Sequence, residues 1–254
     1  MKTVLITGAT RNTGLAIARH FAKEGWNVAI TSRDESSAQA AAAALAAEYP
    51  ITARGYAMLP NQVSSIQETF SRLSADFGRL DAFVANSAHL GVDFGLMNTN
   101  EEDYDAIIDV NMKGTFFCCQ EAAKIMKLGG GGTIVTIGSV QSTGGVPGRT
   151  VYGMSKASLS TLVRYMAMEL GEYGIRANNV IAGGIHSNRW DTLSQEEIQS
   201  RRGRYPVGRE STEAEIANAV YFLSCDQSAT ISGTDLTVDS GLCACLLQYK
   251  KKGD

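Results

Sequence analysis

The sequence predicts an α/β fold, a doubly wound parallel sheet with helices on both faces, and three observations carry the prediction. Short β-branched runs alternate with helical patterns along the chain, and strand, helix, strand in succession gives parallel strands covered on both sides. A glycine-bearing turn follows the first strand directly. No Pro/Gly/Ser-rich linker divides the 254 residues, a length at which α/β folds are commonly single domains.

The elements follow in order. Thr3 to Thr7 is a strand and Thr13 to Glu24 its helix. Trp26 to Ser32 leads to an alanine-rich helix, Ser36 to Tyr49, with Ser36 and Gln39 spaced as a capping box. Ile51 to Met58 and Val63 to Phe77 make the third pair, and Leu80 to Asn86 precedes a helix from about Glu101 to Lys127. Gly129 to Gly132 reads as a turn before the strand Thr133 to Gly138. The helix from about Tyr152 to Tyr173 lines up Leu159, Leu162, Val163, Met166 and Leu170 on one apolar stripe, which is core or subunit interface. Arg176 to Ile181, an irregular segment, a helix from Thr212 to Ser224 and a strand at Asp235 to Asp239 complete the chain. The order is that of a Rossmann-type fold, one domain over residues 1–254.

Composition narrows the partners. With 23 Lys+Arg against 26 Asp+Glu, the net charge of -3 gives no basic field for nucleic acid or an anionic membrane surface. Strand-like sequence begins at Thr3 with no charged leader, and no apolar span approaches the roughly 20 residues of a membrane crossing. A cytoplasmic protein acting on small molecules is the expectation. The five cysteines include the adjacent pair Cys118 and Cys119 within a helical pattern, which suits reduced core thiols. Cys243 and Cys245 have no further cysteine or histidine after them to hold a metal, so buried or interfacial thiols are expected there, and no metal.

The chemistry concentrates at four residues. Tyr152 and Lys156 are four apart on one helix, Ser139 is thirteen residues before the tyrosine, and Asn111 lies further back. At i and i+4 the phenol and the ammonium share a face. A cation there favours the phenolate and brings an acid/base group toward working pH. A pyrophosphate, in turn, needs backbone N–H groups and the positive end of a helix dipole behind a tight turn. Thr7-Gly8-Ala9-Thr10-Arg11-Asn12-Thr13-Gly14 has Gly8 and Gly14 placed for it.

On these residues the chain resembles the short-chain dehydrogenase/reductases, in the branch of about 250 residues, from Thr3 to Gly241. The resemblance implies that Tyr152 is the acid, that Ser139 positions the carbonyl, and that Lys156 holds the nicotinamide ribose while lowering the tyrosine's pKa. Asn111 would hold a water through which Lys156 is reprotonated. Gly8, Thr10, Arg11, Asn12, Thr13 and Gly14 would form the phosphate turn, with Asn12 where relatives usually carry a third glycine. Asparagine tolerates left-handed backbone, so the turn survives. Relatives also pair the long helix and its predecessor across a dimer, often within a tetramer, which favours the interface reading of the apolar stripe and a homodimer or homotetramer.

Cofactor choice rests on the end of the second strand. Users of NAD place an acid about 18 residues beyond the last glycine; here the count reaches Ser32, followed by Arg33. A hydroxyl and a guanidinium suit a 2′-phosphate, and Arg11 resembles a second cation aimed at the same group. NADP(H) is therefore favoured over NAD(H). Asp34, two residues late, reads as the start of the next helix. Leu59-Pro60 stands where relatives keep an adenine-binding aspartate, so that bond is absent. Ala85-Asn86-Ser87-Ala88 keeps one asparagine, Asn86, to line the cleft. Ala182-Gly183 replaces a Pro-Gly, with Gly183, Ile185 and Ser187 left to meet the nicotinamide.

Of the three histidines, His20 is expected at the surface, while His89 and His186 follow strands at the carboxyl edge where ligands bind. Both are candidate substrate contacts, with Gln141 and Trp190. The segment 185–205, carrying Arg189, Arg201, Arg202 and Arg204, reads as a lid over the substrate. The leading expectation is an NADP(H)-dependent reductase of a ketone, or the reverse alcohol dehydrogenase. Gly208-Arg209 and the helix after it look like the end of a 3-oxoacyl-carrier-protein reductase, the runner-up. A cofactor-sensing protein without catalysis is the alternative from another class, although such proteins commonly lose the tyrosine or lysine. A serine hydrolase is poorer, because Gly138-Ser139-Val140-Gln141-Ser142 lacks the nucleophile-elbow pattern.

Overall fold

A computed structural model describes residues 1–91, 95–187, 190 and 192–245. Seven strands form one parallel sheet in the order β3-β2-β1-β4-β5-β6-β7. They are β1 (Thr3–Ile6), β2 (Asn27–Ser32), β3 (Ala53–Ala57), β4 (Ala82–Ala85), β5 (Gly132–Ser139), β6 (Ile175–Ala182) and β7 (Asp235–Val238). The helices are α1 (Asn12–Lys23), α2 (Glu35–Glu48), α3 (Val63–Phe77), α4 (Glu101–Ile108), α5 (Thr115–Gly129), α6 (Thr150–Leu170), α7 (Gln195–Arg202) and α8 (Glu213–Ser224). This is the Rossmann-type, doubly wound arrangement that the alternating pattern predicts.

Alternation along a strand sends neighbouring side chains to opposite faces, and β1 feeds two cores in this way. Val4 and Ile6 join Ile17 and Phe21 of α1 and Ile216 and Val220 of α8 on one face. Leu5 joins Phe70 of α3, Cys118, Cys119 and Met126 of α5, and Val163 of α6 on the other. Strand order reverses between β1 and β4, which opens a crevice beyond their carboxyl ends. The turns after β1, β4, β5 and β6 all meet at that edge.

Local chemistry departs from expectation at five places. The alanine-rich helix begins one residue earlier than Ser36, because Asp34 is its cap: the carboxylate accepts from Ser37 N at 2.9 Å and from the Ser36 hydroxyl at 2.8 Å. Asp34 thus begins the helix as its position suggests, and the Ser36–Gln39 capping box is not formed. The expected helix of residues 101–127 is interrupted by a π-helical stretch, Asp109–Gly114. The irregular segment after β6 contains α7, started by a capping box of Ser194 and Glu197. His20 is half-buried, its ring 4.8 Å from that of Tyr221. Finally, the α6 stripe is core rather than interface: Leu159, Val163 and Met166 are buried within the chain, while Met154, Tyr165 and Met168 on another face of the same helix are exposed.

Cys118 and Cys119 are free and buried, as a core pair should be, and burial pushes the Cys119 thiol up to about 12. Of the two alternatives for the tail thiols, Cys243 is not buried within the chain but exposed, and Cys245 is half-buried. Among the described residues no helix is long and apolar enough to cross a membrane.

Candidate active site

The turn between β1 and α1 is built for close approach. Gly8 has a φ of 62°, and a Cβ there would lie 2.8 Å from Ser87 Oγ. A Cβ on Gly14 would lie 2.6 Å from the Gly8 carbonyl oxygen and 2.7 Å from Asn86 Nδ2. Asn12 adopts a φ of 49°, so asparagine makes the left-handed step. Arg11 holds the N-cap position without a side-chain cap, which leaves the first N–H groups of α1 open to an anion. Thr10 and Thr13 are half-buried beside them, Arg11 and Asn12 exposed. A cradle that a Cβ would fill, at an uncapped helix start, fits a pyrophosphate.

Asn86 braces this turn from β4. Its Nδ2 donates to Thr7 O at 2.9 Å and to Gly8 O at 3.2 Å. The Thr7 hydroxyl accepts from Asn86 N at 3.0 Å and Ser87 N at 2.9 Å. Beside it, Pro60 borders a small recess lined also by Met58, Ala85, Val110 and Cys118. No carboxylate stands among its lining residues, whose polar members are Thr7, Ser87 and Thr115.

At the end of β2, Ser32 Oγ accepts from Asp34 N at 3.4 Å, and Arg33 is exposed. The Asp34 carboxylate is engaged by Ser36 and Ser37, hydrogen bonds that hold it down to about 2. Neither Arg11 nor Arg33 joins an ion pair among the described residues.

The four candidate reacting residues come from three elements tied to one another. Lys156 is buried, and its Nζ donates to Ile137 O of β5 at 2.7 Å. Burial brings the ammonium down to about 8. The same Nζ lies 5.8 Å from the Tyr152 ring centroid, one helical turn away. Tyr152 is buried in the first turn of α6. Gly153 next to it has no room for a Cβ, which would lie 2.9 Å from Gln141 O, so α6 presses onto the turn that follows Ser139. Ser139 ends β5, half-buried, and its Oγ accepts from Gln141 N at 3.3 Å.

Asn111 lies buried in the π-helical stretch, a feature common at functional positions. Its side chain clamps the loop after β4: Oδ1 accepts from His89 N at 2.7 Å and Nδ2 donates to His89 O at 3.0 Å. Nδ2 also donates to Ser155 Oγ at 3.0 Å, and the Ser155 hydroxyl donates to Tyr152 O at 2.7 Å. Asn111 is therefore linked to Tyr152 through Ser155.

Of the substrate candidates, His89 is exposed and contributes its main chain to the Asn111 clamp. Gln141 Oε1 is buried with no hydrogen-bond partner among the described residues, an acceptor of the kind that calls for a donor. Gly183 N donates to Val238 O at 2.9 Å, and Ile185 bridges to Ser211. Ser187 O accepts from Trp190 N at 2.8 Å. His186 Nδ1 lies 2.8 Å from Glu210 Oε1. Trp190 is buried, with the Arg201 guanidinium 5.6 Å above its ring. Arg189 lies outside the described residues.

Three residues of the site carry no sequence signal strong enough to single them out. The hydroxyls of Ser155 and Thr7 accept from residues far away in sequence, Asn111 and the pair Asn86 and Ser87. Glu210 lies between Arg209 and Ser211 with no motif to mark it, yet it is buried.

Comparison with known proteins agrees with this geometry. The family model described as Enoyl-(Acyl carrier protein) reductase matches residues 8–243. The 3-oxoacyl-[acyl-carrier-protein] reductase FabG of Staphylococcus aureus is 34% identical over 95% of this chain and 98% of its own. Carbonyl reductase family member 4 of Xenopus tropicalis is also 34% identical, over 95% and 98% respectively. Among solved structures, NAD+-bound xylitol dehydrogenase superposes with a TM-score of 0.88 at 26% identity, covering 94% of this chain and 98% of that one. A structure described as a putative betaketoacyl-ACP reductase gives 0.84 at 31% identity, covering 96% and 98%. With a family model spanning most of its length and relatives of this similarity, the chain belongs to the short-chain dehydrogenase/reductase family of oxidoreductases.

Proposed function

We propose that the protein interconverts a ketone and a secondary alcohol, with NADP(H) as its redox partner. When bound, the nicotinamide nucleotide supplies or accepts the hydride. Ser139 Oγ positions the substrate oxygen, and Tyr152 gives its phenolic proton to that oxygen as the hydride reaches the carbon. In the reverse direction the tyrosine takes the alcohol proton. Lys156 holds the nicotinamide ribose and is the positive charge that favours the phenolate. Asn111, linked through Ser155, supports proton return to Lys156 by way of water. The observation that carries this reading is the convergence of Tyr152 and Lys156 on β5 through the 2.7 Å bond to Ile137 O, beside a cradle suited to pyrophosphate.

Preference for the 2′-phosphorylated nucleotide is supported by Arg11 and Arg33, exposed and free of ion pairs among the described residues, and by Asp34, whose carboxylate is committed to capping α2. Residues 185–205 serve as the substrate lid. Assembly into a homodimer or homotetramer is supported by Phe116 on α5 and by Met154, Tyr165 and Met168 on α6, all large apolar side chains left exposed on one chain. A second reading, reduction of a 3-oxoacyl group on a carrier protein, is favoured by the names of the relatives. Against it, the surface where relatives often keep arginines for an acidic carrier offers Gly129 to Gly132 and Tyr173.

Mixing the protein with NADPH and a panel of ketones, free and carrier-bound, and following nucleotide absorbance tests the reading. Oxidation of NADPH by a free ketone is expected. Tight nucleotide binding with no turnover on any compound would favour a sensor instead.

A further inference from the structure

Glu210 is buried and both of its carboxylate oxygens are engaged. Arg202 donates from Nε to Oε2 at 2.9 Å and from Nη2 to Oε1 at 2.8 Å, a bidentate fork. His186 Nδ1 sits 2.8 Å from the same Oε1. Arg202 ends α7, and His186 stands where the chain leaves β6. One carboxylate thus joins the outgoing and returning ends of the lid. The backbone is paired in the same place: His186 N donates to Ser211 O at 2.8 Å, and Ser211 N donates to Gly184 O at 3.0 Å. From His186 the contacts continue to the Trp190 ring at 5.7 Å, and from there to Arg201.

A buried ion pair is weak evidence of stability, since apolar residues of similar volume often replace one without loss. What it supplies is fixed geometry. Arg202 keeps the Glu210 carboxyl down at about 2, so the tie is present throughout the physiological range.

We infer that Glu210 is a positioning residue: through Arg202 it sets α7 at the mouth of the cleft, and through Nδ1 it orients the imidazole of His186 for substrate. The inference rests on the reading of residues 185–205 as the substrate lid. With Nδ1 held, Nε2 is the polar atom the half-exposed ring has left for a ligand. Arg202 is committed to Glu210, and in the tautomer that donates from Nδ1 to the carboxylate Nε2 is an acceptor, so at this point the lid offers an acceptor to a substrate hydroxyl.

Glu210→Gln keeps the shape of the side chain and removes its charge. In the nucleotide-free protein, tryptic cleavage after Arg201, Arg202 or Arg204 should accelerate by about ten-fold or more as the lid opens locally. For the carbonyl compound that the wild type reduces, KM should rise by about ten-fold while kcat stays within about three-fold. NADPH affinity should be unchanged. His186→Ala should raise KM similarly and leave the tryptic rate as it was, since Arg202 keeps its partner. Unchanged cleavage in Glu210→Gln, or a loss of nucleotide affinity as large as the rise in KM, would overturn the inference. Should Glu210→Gln melt as a whole, His186→Ala carries the test, and an unchanged KM there overturns it. Cleavage is read without turnover, so a wild type inactive on every compound would defeat the proposed function while the proteolysis still decides whether Glu210 ties the lid.

Discussion

The ammonium of Lys156 donates to the carbonyl oxygen of Ile137 at 2.7 Å, two residues before Ser139 on the same strand. This bond holds the first turns of α6 against the end of β5, with the Tyr152 ring centroid 5.8 Å from the same Nζ. It also places a charge in a buried position, and that has a cost which can be measured.

Burial lowers Lys156 from an ordinary 10.5 to about 8, so the native state disfavours its charged form. Between those two values the unfolded chain binds more protons than the native one, and stability rises with pH through that window. Below it the cost is complete, on the order of 3 kcal/mol. Lys156→Met should therefore melt higher than wild type at pH 7, with the lost bond to Ile137 offsetting part of the gain. The advantage should shrink toward pH 10. Thermal melts of both proteins across this range check it; a variant less stable at pH 7, with the wild-type pH trend, would show that the lysine is well accommodated.

Gly14 faces backbone on two sides: a Cβ there would lie 2.6 Å from Gly8 O and 2.8 Å from Ala9 Cα. Gly14→Ala should cost about 1–3 kcal/mol, as overpacking does, and should weaken nucleotide binding because the cradle must shift. Gly129→Ala, where a Cβ would meet nothing within 4 Å, is the matched control and should be neutral or slightly stabilising. Melting temperature and nucleotide titration report both effects, and equal behaviour of the two variants would remove the steric argument.

The cofactor claim rests on two cations. Charge-assisted bonds from Arg11 and Arg33 to a 2′-phosphate should each contribute on the order of 1.5 to 3 kcal/mol, so kcat/KM should favour NADPH strongly. Replacing Ser32 by aspartate and Arg33 by alanine removes one attraction and adds a repulsion. NADPH should then weaken sharply while NADH holds or improves. A wild type that prefers NADH, or a ratio unmoved by the double change, would mean that other contacts govern this end of the site.

Much of the fold was legible because buried strands and amphipathic helices write their periods into the sequence. The helix over Val63–Phe77 was readable residue by residue, ending where Gly78 takes a left-handed φ of 69°. The helix α7 was not, because none of its residues is buried and so it has no apolar period; its trace is the Ser194-to-Glu197 spacing of a capping box. The stripe from Leu159 to Leu170 was visible, but periodicity alone does not say whether core or a neighbouring chain covers it. Asp34 and Ser36 both had the chemistry of a cap, and the earlier residue won by gathering both serines after it. In the site, Tyr152, Lys156, Ser139 and Asn111 were named by type and spacing. The links among them, Ser155 under Asn111 and Glu210 between Arg202 and His186, join residues distant in sequence and arise only from packing.

The central claim is that Tyr152 is the proton donor of a nicotinamide-dependent carbonyl reduction, and the most direct measurement compares wild type with Tyr152→Phe. Phenylalanine keeps the ring in its buried place and removes only the hydroxyl. NADPH binding and melting temperature should be nearly unchanged, while kcat with the best ketone falls by about 10²- to 10⁴-fold, the range expected for loss of a general acid. Turnover in the variant within a few-fold of wild type would contradict the account, because the proton would then have to come from another group.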